Sequence, residues 1–200
     1  MFWYEDEVKR VEKVRAELSY NPEILFYGSS TFNLWDNLEE SFRSYKPANL
    51  AFGGSTIAAC SWFFERIVKG YDAIKAVVIY AGDNDLGDNR HPEEVYICFF
   101  QLVTQIRERF GDIPVVYVSI KPSPRRWNID EQIEYTNMII EREIGKRGGN
   151  LHFVEIHDLI LGENGRPNEQ LFMEDSLHLN AKGHDILKEQ IGKKLAEIFG

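Results

Sequence analysis

Leu25-Phe26-Tyr27-Gly28-Ser29-Ser30-Thr31 is an apolar run that stops at a glycine and continues into two serines and a threonine. Asn33-Leu34-Trp35 then opens a helix-like segment. This is the pattern of a buried strand turning sharply into a helix, with hydroxyl groups at the turn. Backbone N–H groups at a helix N-terminus favour negative charge, so a serine there suits chemistry that builds an oxyanion. Ser29, Ser30 or Thr31 can equally do no more than cap the helix. Taken alone, the stretch favours that plainer role.

Outward from it, the chain alternates. Val8, Val11, Val14 and Leu18 recur at helical spacing among charges, which predicts an amphipathic helix within residues 1–20. After the serine turn, a short helix to about Phe42 is expected. A second apolar run, Asn49–Phe52, stops at Gly53-Gly54-Ser55-Thr56, and an amphipathic segment follows from Ile57 to Val68. Ala76–Ala81 is uncharged and rich in β-branched residues, the clearest buried strand. It stops at Gly82-Asp83-Asn84-Asp85. Pro92 suits a first helical position, and Val95, Phe99, Leu102 and Ile106 mark a long helix to about Phe110. A fourth strand is expected over Pro114–Ile120, a helix over Asp130–Lys146 and a fifth strand over Leu151–Ile156. His157–Glu174 has no strong pattern. Asn180 can cap a last helix whose core face is Leu187, Ile191, Leu195 and Ile198.

Five short apolar strands separated by helices predict an α/β three-layer sandwich. Its parallel sheet is covered by helices on both faces, with right-handed crossovers. The flavodoxin-like order 2-1-3-4-5 is the commonest solution for five strands. The 200 residues are expected to form a single domain, 1–200, with the helix of residues 1–20 packed on it.

Composition narrows the function by exclusion. The net charge of −9, with no Lys/Arg run longer than two, argues against nucleic acid and against anionic membrane surfaces. Cys60 and Cys98 lie far apart and form no CxxC pair, so neither a disulfide framework nor a zinc site is indicated. No apolar run approaches the ~20 residues that span a bilayer. Acid follows four residues into Met1-Phe2-Trp3-Tyr4-Glu5-Asp6-Glu7, unlike a signal peptide; a cytoplasmic location is expected.

In such a sheet, ligands bind beyond the carboxyl ends of the strands. In the order 2-1-3, strand one has neighbours roughly 4.8 Å away on each side. Ser29 and Ser30 would then stand between Gly53-Gly54 and Asn84, a hydroxyl flanked by hydrogen-bond donors. That is the arrangement of acyl transfer: a nucleophile beside an oxyanion hole. A base is also needed, and the chain has five histidines. His91 lies in a polar loop, His152 at the start of strand five and His184 within the last helix. His157, at the end of strand five, is a real alternative. His178 stands in Asp175-Ser176-Leu177-His178, where an Asp three residues earlier can bend back to the imidazole Nδ1–H and leave Nε2 free as base. A lone DxxH is weak, but this one follows a long patternless connection of a kind that is usually functional. At ~3.3 Å per residue that connection easily crosses the ~15 Å back to strand one.

Together these residues resemble the SGNH (GDSL-type) hydrolases, serine esterases and acylhydrolases. Gly28-Ser29-Ser30 is similar to the family's first block, usually Gly-Asp-Ser, whose third place is the nucleophile; the resemblance selects Ser30. Asn49-Leu50-Ala51-Phe52-Gly53-Gly54 resembles the second block, Asn-x-Gly-x-x-Gly, whose last glycine, here Gly54, gives a backbone N–H to the oxyanion hole. Gly82-Asp83-Asn84-Asp85 matches the third block, Gly-x-Asn-Asp, which implies Asn84 as a side-chain donor. Asp175 and His178 match the last block, which supplies acid and base. Ser29 in place of Asp and Ala51 in place of Gly depart from the pattern. The implied activity is hydrolysis of a small-molecule ester without metal or cofactor. The oxyanion hole would comprise the Ser30 and Gly54 N–H groups and the Asn84 amide.

Three other readings compete. Asp83, Asp85, Asp88, His91 and Glu94 make an acidic loop, but as a calcium loop it fails, because Asp88 stands where glycine is required. Gly53-Gly54-Ser55-Thr56 before a helix could cradle a phosphate in a flavodoxin-like nucleotide- or cofactor-binding protein, although it fits neither GxGxxG nor GxxxxGK[ST]. A non-catalytic binding protein with the same fold is the third. For an esterase, short loops and the lack of a visible lid suggest a small acyl group, acetyl, on a sugar or another small alcohol, with Trp127 and Trp35 as candidate lining and core packing an equal reading for Trp35.

Overall fold

A computed structural model describes all residues, 1–200. The elements in chain order are α1 (Glu5–Glu17), β1 (Ile24–Gly28), α2 (Ser30–Asn33), α3 (Leu38–Ser41), β2 (Pro47–Asn49), α4 (Ile57–Ile67) and β3 (Ala76–Tyr80). They continue with α5 (Asp83–Gly87), α6 (Pro92–Phe110), β4 (Val115–Val118), α7 (Asp130–Arg147), β5 (Leu151–Val154), α8 (His157–Ile160) and α9 (Ala181–Phe199). The sheet is parallel throughout and ordered β2-β1-β3-β4-β5, as the alternation of strands and helices predicts. No helix is long and apolar enough to cross a membrane.

Side chains alternate across the sheet and build two cores. Leu25, Tyr27, Val77, Ile79, Val115 and Tyr117 point into the layer of α1, α4, α6 and α7. Ile24, Phe26, Val78, Tyr80, Val116 and Val118 point the other way, onto α2, α3, α8 and α9. Strands buried on both faces read as unbroken apolar runs, which is why they were legible. At the N-terminus Tyr4 docks edge-on against Phe52 and Phe63, while Phe2 and Trp3 stay exposed.

β4 and β5 are each shorter than expected, ending at Val118 and Val154, and two elements differ more. The second strand is Pro47–Asn49 rather than Asn49–Phe52. Leu50 N–H and Phe52 N–H still donate to the carbonyls of Phe26 and Gly28, so this apolar segment runs on along β1 after the ladder ends. The expected single helix to Phe42 is two short ones, α2 and α3. The patternless stretch is held by local turns: α8, a bridge between Leu161 and Pro167, and a 3₁₀ turn at Glu169–Leu171.

The serine turn is placed by one close backbone approach. Gly28 has φ +139°, and a Cβ there would lie 1.9 Å from the Tyr80 carbonyl oxygen on β3. The next residue, Ser29, donates its N–H to that same oxygen at 2.9 Å. Gly28→Ala should therefore combine a strained backbone with an overpacked strand pair, on the order of 3–5 kcal/mol. Urea unfolding of the variant measures this; a loss below about 1 kcal/mol would show that β1 and β3 can part without cost.

Candidate active site

The carboxyl ends of β1, β2 and β3 converge with the loop before α9. β1 ends in Gly28, and α2 begins at once, so Ser30 occupies its first helical position. The Ser30 hydroxyl lies 3.0 Å from His178 Nε2, and His178 Nδ1 lies 2.5 Å from Asp175 Oδ2. A carboxylate can only accept, so Nδ1 carries a hydrogen and Nε2 is the acceptor for the serine hydroxyl. The other Asp175 oxygen accepts the backbone N–H groups of Leu177 and His178. Partial burial works against the Asp175 charge, but these three hydrogen bonds outweigh it and hold the carboxyl down at about 2. Ser29 faces nothing comparable: its hydroxyl is buried without a hydrogen-bond partner.

The Gly53-Gly54-Ser55 loop adjoins the serine turn, with the Ser55 hydroxyl donating to the Gly28 carbonyl at 2.9 Å. The N–H of Ser30, at the start of α2, and the N–H of Gly54 make no hydrogen bond within the chain. Gly54 lies exposed at φ +67°, a left-handed conformation suited to glycine. Its loop is braced by the N-terminal helix. Glu7 accepts the Gly53 N–H at 2.8 Å, Arg10 donates to the Ala51 carbonyl at 2.9 Å, and the Tyr4 hydroxyl donates to the Gly54 carbonyl at 3.2 Å. The Gly53 N–H is thus already held by a carboxylate.

Asn84 sits in the first turn of α5. Its Nδ2 donates to the Ser55 carbonyl at 3.0 Å and its Oδ1 accepts from Arg126 at 3.0 Å. Only one amide orientation satisfies both partners, and it leaves one N–H of Nδ2 unused by the chain. Beside it, Asp85 is buried and accepts the Ile57 N–H, the first of α4, at 2.9 Å. Burial dominates there and pushes the Asp85 carboxyl up to about 7, against the pull of that hydrogen bond.

The stretch from Ser119 to Ile129 ties the site together from the β4 side. Asn137 of α7 closes both the N–H and the carbonyl of Ile120 at 2.8 Å. The buried Lys121 donates to the Leu177 carbonyl at 2.8 Å, and Arg125 N–H donates to the Ser176 carbonyl. The loop holding Asp175 and His178 is thus fastened at two carbonyls. Burial pushes the Lys121 ammonium down to about 8, although Asp83 and Asp175 favour its charge.

The structure brings Ser30, Gly54, Asn84, Asp175 and His178 to one edge of the sheet. His157, the alternative base, is elsewhere: its two ring nitrogens face Asp158 and Asp130, each at 3.1 Å. Burial opposes its protonation, but those carboxylates outweigh it and raise its pKa. His184 donates from Nε2 to the Thr31 carbonyl at 3.1 Å and stacks on Trp35. Trp35 is accordingly buried core rather than lining. Trp127 is half-buried under the Arg166 guanidinium. Glu7, Arg10, Lys121 and Arg126 were not picked out from sequence. Their contacts span tens to over fifty residues and follow no periodicity, so no sequence signal could have found them.

Asp85 gives a stability signature. Folded, its carboxyl stays protonated up to about pH 7; unfolded, it titrates near ~4. The folded state therefore binds more protons in that window, and stability falls as pH rises through it. Asp85→Asn keeps an oxygen for Ile57 N–H and removes the titration. In urea unfolding, the stability of the variant relative to the original should rise between pH 4.5 and pH 7.5 by on the order of 3 kcal/mol. A difference that stays constant with pH would refute the assignment.

Comparison with known proteins places this geometry in a family. No curated protein sequence matches the chain. Solved structures do match in fold. A protein from Streptococcus pneumonia, provisionally described as a platelet activating factor, is 20% identical; 96% of this chain and 94% of that one superpose, with TM-score 0.82. A GDSL-like lipase from Bacteroides thetaiotaomicron is 19% identical, with 98% of each chain covered and TM-score 0.78. A carbohydrate esterase family 3 protein from Talaromyces cellulolyticus is 15% identical over 88% of this chain and 97% of that one, with TM-score 0.69. The model of the GDSL-like Lipase/Acylhydrolase family matches residues 23–186, from the start of β1 into α9. The chain belongs to that family, and it is a carboxylic ester hydrolase.

Proposed function

We propose that the chain hydrolyses esters of a small acyl group, acetyl, through an acyl-serine intermediate. The observation that carries this reading is the unbroken hydrogen-bond chain from Asp175 through His178 to the Ser30 hydroxyl. The Ser30 Oγ attacks the ester carbonyl while His178 Nε2 takes its proton. The Ser30 and Gly54 N–H groups and the free N–H of Asn84 receive the oxyanion. The carbon–oxygen bond to the alcohol then breaks, and His178 returns the proton to the leaving oxygen. Asp175 holds the imidazole in the required tautomer and stabilises its charged form. Water, deprotonated by the same histidine, attacks the acyl-serine and releases the carboxylic acid. The reaction as drawn uses no metal or cofactor.

The small acyl group is supported by the openness of the site. The Asp175 and His178 side chains keep 40% and 25% of their surface exposed, so no segment of the chain encloses them. The alcohol is proposed to be a carbohydrate or another small alcohol. The Talaromyces carbohydrate esterase and an acetyl esterase crystallised with acetate share the fold, which makes acetylated sugars a reasonable first substrate class. A location in the cytoplasm and a single domain remain part of this proposal.

Ser30→Ala should abolish both the burst of p-nitrophenol from p-nitrophenyl acetate and the mass of the acetyl-enzyme, without lowering the melting temperature. Asn84→Ala should lower kcat by about 10²–10³, with KM changed little. Full activity in Ser30→Ala with loss in Ser29→Ala would move the nucleophile by one residue; full activity in both would end the serine-esterase reading. Across acyl esters from C2 to C12, kcat/KM should be greatest at the short end, with acetylated sugars accepted.

A further inference from the structure

The Arg126 guanidinium reaches the site from a distant part of the chain. It lies in the 3₁₀ turn Pro124–Ile129 that follows β4. Its Nη2 donates to Asn84 Oδ1 at 3.0 Å, and its Nη1 pairs with Asp83 Oδ2 at 3.1 Å. One planar fork therefore grips two consecutive residues of α5. Both partners are well shielded: the Arg126 side chain is 19% exposed and that of Asp83 is 6% exposed. Further along the same short helix, a Cβ on Gly87 would stand 2.8 Å from Arg126 Nε. The bare glycine thus leaves the space the guanidinium occupies.

The turn that carries Arg126 is itself held. Its N–H donates to the Ser123 hydroxyl, and Asn137 fixes Ile120 a few residues before. Arg126 is a fixed charge presented to the Asn84 carbonyl rather than a mobile surface group.

We infer that Arg126 is a positioning residue for the reaction: it locks and polarises the Asn84 amide so that its free N–H faces the developing oxyanion. This inference rests on the proposed oxyanion role of Asn84. Two effects follow from the geometry. A cationic donor on the amide oxygen draws electron density from the nitrogen and strengthens its remaining N–H as a donor. The same bond fixes which way the amide points. A flipped Asn84 would set its oxygen against the Ser55 carbonyl and against the oxyanion, both repulsive. Asp83 neutralises Arg126 locally, which leaves the amide rather than the guanidinium as the group that meets substrate.

A double-mutant cycle on the full chain with p-nitrophenyl acetate tests this. Arg126→Gln should lower kcat about 10- to 100-fold, the range of a charge-assisted hydrogen bond, with KM within about twofold. In the Asn84→Ala background the same change should alter kcat less than about twofold, because there is no amide left to position. Arg126→Lys, which keeps the charge opposite Asp83 but lacks the fork, is carried through the same cycle as the better-folded variant; its kcat should also fall, and only when Asn84 is present. Melting temperatures identify any variant whose fold is damaged. Losses that multiply across the cycle, or an unchanged kcat in the Arg126 variants beside an impaired Asn84→Ala, overturn the inference and leave the oxyanion reading standing. An unchanged kcat in Asn84→Ala overturns both.

Discussion

The carbonyl oxygen of Tyr80 is the point on which the architecture turns. It sits at the end of β3, receives the Ser29 N–H, and approaches Gly28 so closely that no side chain fits between. That contact ends β1 at a fixed height and starts α2 with no intervening loop. The sheet order then does the rest. With β2 on one side of β1 and β3 on the other, the loops that follow them meet beside the serine turn: the Ser55 hydroxyl donates to the Gly28 carbonyl and the Asn84 amide to the Ser55 carbonyl. A parallel sheet has its strand ends in register, so residues far apart in sequence meet along one edge without special arrangement.

Much of this was legible from sequence, and for a physical reason. Strands such as Ala76–Tyr80 are buried on both faces, so their apolar runs are unbroken. α9 shows its core face at helical spacing because it covers one side of the sheet only. The turns that hold Ser29-Ser30, Gly53-Gly54 and Asn84 follow apolar runs, so finding the runs found the turns; the choice of Ser30 and Gly54 within them came from the family resemblance. Asp175 and His178 were legible through their mutual spacing of three. The end of β2 was harder, since Leu50–Phe52 is as apolar as a strand and continues alongside β1 after the ladder stops. The supporting polar groups were harder still. Lys121, Arg126, Glu7 and Arg10 look like ordinary surface charges in the sequence. Their burial and partners depend on where other segments come to rest, and nothing local encodes that.

The same supporting groups divide the labour of holding the site. The segment after β4 reaches both the histidine loop, through Lys121 and Arg125, and the Asn84 amide, through Arg126. It thereby couples two groups that lie far apart in the chain. Asp85 links the turn after β3 to the first N–H of α4, so one carboxyl joins that turn to the helix beyond the Gly54 loop. Charges that in a water-exposed setting contribute little here act in shielded positions, where geometry rather than gross attraction is what they supply.

The brace from α1 has a different character. Glu7, Arg10 and Tyr4 hold the Gly53-Gly54 turn, yet α1 lies outside the sheet and joins none of its ladders. Segments of one fold open locally with different free energies. The arm of the site at Gly54 is therefore fastened to a helix outside the sheet, while Ser30 is anchored to a central strand. Detachment of the first helix would slacken the Gly53-Gly54 turn and leave the serine turn in place, so the geometry of the site and the integrity of the fold need not be lost at the same temperature.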